Sequence, residues 1–191
     1  MTGQVTQTAR QRAAGTVKPA ALALCLVLLG QAAFAQTALG TTPNIVEISA
    51  RLVTSGQPPA QVLAGLGAQG YGAVVYLAPP SVPDAVADED RIVSRQGLVF
   101  VHIPIPFDKP SEADLQALAA VLQGLADRKV LVHCQVNMRA SSMVFLYRVT
   151  TLKEDPRAAY DAVARVWAPD GVWRRFIQAQ LRRHGVDFEP F

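Results

Sequence analysis

The residues able to do chemistry stand together in one stretch, Val132-His133-Cys134-Gln135-Val136-Asn137-Met138-Arg139-Ala140-Ser141. It begins where an apolar strand-like run, Val130-Leu131-Val132, ends, and a helical pattern follows it. At such a junction successive backbone N–H groups form a nest, and the start of the helix adds partial positive charge. A cysteine placed there has its thiolate favoured and is nucleophilic. An arginine closing the same loop offers a planar fork that fits a tetrahedral oxyanion. The chemistry expected is attack by Cys134 on an oxyanion centre held by the loop and Arg139, with a covalent cysteine intermediate. His133, Gln135, Val136, Asn137, Met138 and Ala140 make up the anion-binding loop, and Ser141 and Gln57 are candidates to support it from behind. The loop contains no glycine, and Asn137 is the residue in it that best tolerates positive φ.

A proton donor for the leaving group is also required. Asp108, in Pro104-Ile105-Pro106-Phe107-Asp108-Lys109-Pro110, follows the strand pattern Leu98–Ile103, and in a parallel sheet its loop emerges at the same edge as the cysteine loop. A solvated turn residue is the alternative for Asp108. Asp114 reads as helix-capping. Trp167-Ala168-Pro169-Asp170 looks like an acid-bearing loop, but it falls after the cysteine loop. Asp170 there reads as a helix N-cap, with Trp167 and Trp173 as core or cleft-wall aromatics. Arg51 and Arg148 are candidates to add positive field. His102, in an apolar strand, reads as a satisfied core histidine. Metal is not expected, because no second cysteine lies near His133-Cys134 and the other histidines are distant in sequence. No cofactor is called for.

The elements that position these residues alternate between strand and helix. Ile45–Ile48 and Leu52–Thr54 are short strands, followed by the turn Ser55-Gly56-Gln57-Pro58. Pro59–Gln69 carries a helical stripe closed by Gly70, and Ala73–Leu77 is a continuous apolar strand. Asp84–Gln96 is expected to be a helix closed by Gly97. Ser111-Glu112-Ala113-Asp114 opens a helix with a capping-type start, and Asp155-Pro156 opens another. A last helix is expected from about Val172 to Arg183. This order predicts one α/β domain with a mainly parallel central sheet of about four to five strands flanked by helices.

The chain has 191 residues, with 18 basic and 15 acidic. Residues 1–35 carry Arg10, Arg12 and Lys18, then the apolar run Ala20–Leu29, then Ala33-Phe34-Ala35, the pattern of a secretory signal cleaved after Ala35. Without those three bases the charges balance, so no basic block points to nucleic acid. The apolar run is shorter than the roughly 20 residues a spanning helix needs, so no stable membrane anchor is expected after cleavage. Residues 36–44 read as a flexible lead-in and 45–191 as the domain. Its single thiol, Cys134, has no disulfide partner within it. The expected location is periplasmic or secreted. The sequence marks no oligomeric interface.

His133-Cys134 and Arg139, after a buried strand and before a helix, resemble the cysteine-dependent protein-tyrosine and dual-specificity phosphatases. Ser55-Gly56-Gln57-Pro58 and the "HIPIPFDKPSEADL" segment look like a bacterial branch, the phosphatase-like domains also found in beta-lactamase-hydrolase-like proteins. "VHCQVNMRAS" and "WAPDGVWRRF" look like that branch's exported relatives. The resemblance implies the phosphatase fold, Cys134 as nucleophile, Arg139 as anion clamp and Asp108 as acid, acting on a phosphorylated substrate. The loop places four residues between Cys134 and Arg139 where those phosphatases place five, a spacing similar to rhodaneses. A sulfurtransferase or persulfide carrier working on sulfane sulfur therefore stands beside the phosphatase reading, as does a non-catalytic anion-binding module.

Overall fold

The computed structural model describes residues 1–3 and 39–191. The signal segment and the start of the lead-in thus lie outside the described residues. Five strands, β1 (Val46–Ser49), β2 (Leu52–Ser55), β3 (Ala73–Tyr76), β4 (Val99–His102) and β5 (Val130–His133), form one sheet in the order β1-β2-β5-β3-β4. β2, β5, β3 and β4 run parallel, and β1 pairs antiparallel with β2 as a short hairpin. The hairpin turn is held by Ser49 Oγ, which accepts from the N–H groups of Arg51 and Leu52.

β5 lies in the middle of the sheet, and its apolar run is explained by burial on both faces. Successive side chains alternate between those faces. Leu131 and Val74 join Val53, Leu63, Leu66 and Val93 on one side, whereas Val132, Val75 and Val130 join a larger core on the other. The first side is covered by α1 (Ala60–Leu63) and α2 (Glu89–Ser94). The larger core takes in α3 (Glu112–Gly124), α4 (Met138–Thr150), α5 (Pro156–Ala164) and α6 (Gly171–Arg183). α4 is buried around almost its whole girth, so the helix that follows the cysteine loop cannot shift without disturbing the core.

The caps follow the sequence. Ser111 and Asp114 form a reciprocal capping box, and the Asp155 side chain accepts from Ala158 N–H with Pro156 at the first helical position. Two expected helices are shorter than their patterns. The 59–69 segment is one α-turn and then a short 3-10 turn. In the 84–96 segment only Glu89–Ser94 is helical, because Asp88 sits in the left-handed region at φ 55 and breaks the helix behind it. His102 is also placed differently from its expectation. β4 is an edge strand, so the ring is exposed there and stacks on Tyr76.

Candidate functional site

The carboxyl ends of β5, β3 and β4 carry the site. Cys134 follows β5, and its backbone N–H donates to Ser55 O of β2 at 3.2 Å. The chain then turns through Gln135, Val136 and Asn137 before α4 begins at Met138. Asn137 has φ 71 and is the loop residue that takes the left-handed conformation. Its side-chain amide pays back that strain by donating to Asn44 O at 2.6 Å and to Thr54 Oγ1 at 3.1 Å. Asn44 in turn donates to Val136 O. An alanine at 137 would keep the strain and lose both bonds, at a cost of about 2 kcal/mol. Gly56 is required on different grounds: a Cβ there would lie 2.6 Å from Gln135 O and 2.9 Å from Pro43 Cβ.

Arg139, in the first turn of α4, folds back over the loop it closes. Its Nε donates to Ile105 O at 3.0 Å and its Nη1 to Gln135 Oε1 at 3.4 Å. Its guanidinium carbon lies 5.0 Å from the centre of the Phe107 ring. The residue is 4 % exposed, and among the described residues no carboxylate pairs with it. A buried cation without a counter-ion is costly, and an anion received in the loop would supply what is missing. Cys134 is fully buried at the base of that loop.

Asp108 is exposed, one residue past Phe107, in the segment that touches Arg139. That segment is held firmly. Phe107 O accepts from Trp173 Nε1 at 2.8 Å, and its ring packs 5.7 Å from Trp173 and 6.0 Å from Trp167. The two tryptophans therefore wall the Asp108 loop, and Asp170 occupies the N-cap position of α6 with no side-chain bond to it. Asp114 belongs to the capping box. Ser141 Oγ donates to Met138 O and is turned inward. Arg51 and Arg148 do not join the site: Arg51 bonds Ala126 O at the far end of the strands, and Arg148 is engaged by Glu154 and Ala159 O.

Sequence reasoning overlooked four contributors. The Ile105 carbonyl has no signature in sequence, because any residue supplies one. Phe107 was passed over beside the more conspicuous Asp108. Tyr76, from β3, stacks on the His133 ring at 4.8 Å, and burial, then the Glu89 carboxylate, push its phenol up to about 12. Glu89 itself lies behind the loop: its Oε1 accepts from His133 Nε2 at 2.7 Å and its Oε2 from Gln57 Nε2 at 2.9 Å. The Gln57 backbone N–H also donates to Gln135 O at 2.8 Å, so Gln57 stands against the cysteine loop.

The chain is 32 % identical over 110 residues to a beta-lactamase hydrolase-like protein of Xylella fastidiosa, a match covering 56 % of this chain and 25 % of that protein. The chain thus matches about a quarter of the length of that curated relative. A putative phosphatase from Shewanella putrefaciens CN-32 is 26 % identical, with a TM-score of 0.69 over 77 % of this chain and 97 % of that one. A variant of P. aeruginosa TpbA solved in complex with pTyr has the same fold, with a TM-score of 0.58 at 22 % identity over 75 % of this chain and 86 % of that one. Residues 36–170 match the family described as PTP-NADK, "DSP-PTPase phosphatase fused to NAD+ Kinase". Carrying that match across most of its length, together with the fold, the chain belongs to this family of protein-tyrosine and dual-specificity-type phosphatases.

Proposed function

We propose that the protein is an exported cysteine-dependent hydrolase of phosphate monoesters that works through a phosphocysteine on Cys134. The observation that carries this reading is the buried guanidinium of Arg139, closing the cysteine loop with no carboxylate partner among the described residues. The phosphoryl oxygens of the substrate take the place of that counter-ion, accepting from Arg139 and from the loop's backbone N–H groups. The Cys134 thiolate attacks phosphorus in line with the ester oxygen. The S–P bond forms as the P–O bond breaks, and Asp108 gives its proton to the departing alcohol. Water then attacks phosphorus, Asp108 takes a proton from it, and phosphate leaves with Cys134 restored as thiolate. The exposed Phe107 ring beside Arg139, buttressed from behind by Trp167 and Trp173, and the pTyr bound by the TpbA variant, support an aryl phosphate as a substrate class.

The four-residue spacing keeps sulfur transfer as the second reading, and one assay separates the two. The reduced protein is followed for release of p-nitrophenol from p-nitrophenyl phosphate and, in parallel, for transfer of sulfur from thiosulfate to cyanide. Phosphate-ester cleavage without sulfur transfer is expected; sulfur transfer alone would overturn the phosphatase proposal. Asp108→Asn should slow an alkyl phosphate by about 10²-fold and p-nitrophenyl phosphate much less, because a good leaving group needs no proton. Equal slowing of both substrates would remove Asp108 from the acid role. Export is tested separately: protein recovered from the periplasm or medium of the producing cell should begin at Gln36, and a chain retaining Met1 inside the cell would contradict it.

A further inference from the structure

We propose that Glu89 is a positioning residue for Cys134, acting through His133 and Gln57. The proposal rests on the phosphatase reading only for its kinetic readout. Glu89 stands in the acidic run Asp88-Glu89-Asp90, whose outer members are exposed while Glu89 is 5 % exposed. The left-handed turn at Asp88 sets the start of α2 so that Glu89 faces inward. A buried carboxylate is tolerated only when its oxygens are engaged, and here both are.

The contacts close a ring around the nucleophile. From Gln57, the backbone N–H goes to Gln135 O and the side-chain amide goes to Glu89. Glu89 holds the fully buried His133 ring. Cys134 lies between His133 and Gln135 in the chain, so both of its neighbours are fixed by one assembly. The other groups around this assembly do not take over its role. Tyr76 stacks on His133 but its hydroxyl has no partner among the described residues, and Asp84 reaches Gln135 through an exposed bond from Gln135 Nε2. His102 bonds Ala78 O. Glu89 is on the α2 side of the sheet and acts on Cys134 only through these two residues, which makes it a positioning group and not a catalytic one.

Removing the carboxylate leaves His133 Nε2 buried without an acceptor and the Gln57 amide with only its longer bond to Pro58 O at 3.3 Å. Misplacement of a reacting group by about 1 Å costs on the order of 10²-fold in rate. The test measures kcat and KM of full-length Glu89→Ala, Glu89→Gln and Glu89→Asp toward p-nitrophenyl phosphate. Folded molecules are counted from the near-UV circular dichroism of the protein against the wild type, so that unfolded molecules do not enter the rate. Glu89→Ala should lose about 30-fold or more in kcat per site, with KM changed by less than about 3-fold. Glu89→Gln should recover most of that loss. Its amide oxygen can accept from His133, and a turned Gln57 can present its Oε1, which has no partner among the described residues.

A merely structural role would lower the folded fraction and leave kcat per site at the wild-type value, and that result would overturn the proposal. So would a Glu89→Gln enzyme as slow as Glu89→Ala. Where Glu89→Ala does not fold, Glu89→Asp decides, since it keeps the charge but cannot span both partners. A drop of about 5-fold or more supports the proposal, and an unchanged kcat overturns it. If the wild-type protein cleaves no phosphate ester, the proposed function fails on its own. The same variants are then read from the alkylation rate of Cys134, which should change by about 10-fold in Glu89→Ala and recover in Glu89→Gln.

Discussion

Replacing Cys134 by serine is expected to abolish phosphate-ester turnover, by at least about 10³-fold in kcat, while leaving phosphate binding close to that of the wild type. The expectation follows from the separation of tasks in the loop. In the proposed mechanism the nucleophile is the Cys134 sulfur, which is fully buried at the loop's base. The same mechanism assigns the anion to other groups, namely Arg139 and the backbone N–H groups between Cys134 and α4. A serine hydroxyl is smaller than the thiol and is a far weaker nucleophile, since the neighbouring His133 ring is turned onto Glu89 and does not take its proton. The substitution should therefore leave a protein that protects itself thermally with phosphate as the wild type does. Rates come from p-nitrophenyl phosphate and binding from the shift in Tm with phosphate. A serine variant that retained turnover would place the nucleophile elsewhere and undo the assignment of the whole site.

Replacing Arg139 by alanine should instead lose both functions. In the proposed mechanism the guanidinium serves the bound anion and the transition state alike, so kcat/KM should fall by about 10²–10³-fold and the phosphate-induced rise in Tm should disappear. A second consequence is structural. Ile105 O loses its donor and the Phe107 ring loses the cation it faces, so the Asp108 loop is released on its inner side. Leaving that carbonyl unsatisfied costs about 1–3 kcal/mol, partly offset by relief of a buried unpaired charge. Arg139→Lys separates charge from geometry. It keeps the positive charge but cannot span Ile105 O, Gln135 Oε1 and a phosphoryl oxygen together, so it should recover some binding and little rate. An Arg139→Ala protein that bound phosphate normally would show that the anion is held elsewhere.

Much of this arrangement was legible in the sequence because it rests on local chemistry. The run Val130-Leu131-Val132 reads as a strand buried on both faces, and β5 is the central strand. Asn137 was the one loop residue suited to positive φ, and it adopts φ 71. Ser111 with Asp114 and Asp155 with Pro156 announce helix starts through hydrogen bonds that span three residues. What stayed hidden depends on strand order and on contacts distant in sequence. Leu98–Ile103 looks like an interior strand, yet β4 is at the sheet edge, and nothing local distinguishes the two. Glu89 lies 44 residues from His133 in an acidic run that resembles any solvated turn. Its burial follows from the register that sets Tyr76 beside His133 and from the turn at Asp88, neither of which has a local signature. The tie from Arg139 to Ile105 O runs through a backbone carbonyl, which side-chain patterns do not reveal.

The measurement that bears most directly on the central claim is a rapid quench of the reduced protein into alkaline detergent, where an S–P bond survives, during turnover of a phosphate ester labelled in its phosphoryl group, followed by digestion at alkaline pH and location of the label. The account expects the label on the peptide carrying Cys134 in the wild type, accumulating when breakdown is slowed by Asp108→Asn and absent from Cys134→Ser. Steady ester cleavage with the label on another residue, or undiminished cleavage in Cys134→Ser, would contradict it.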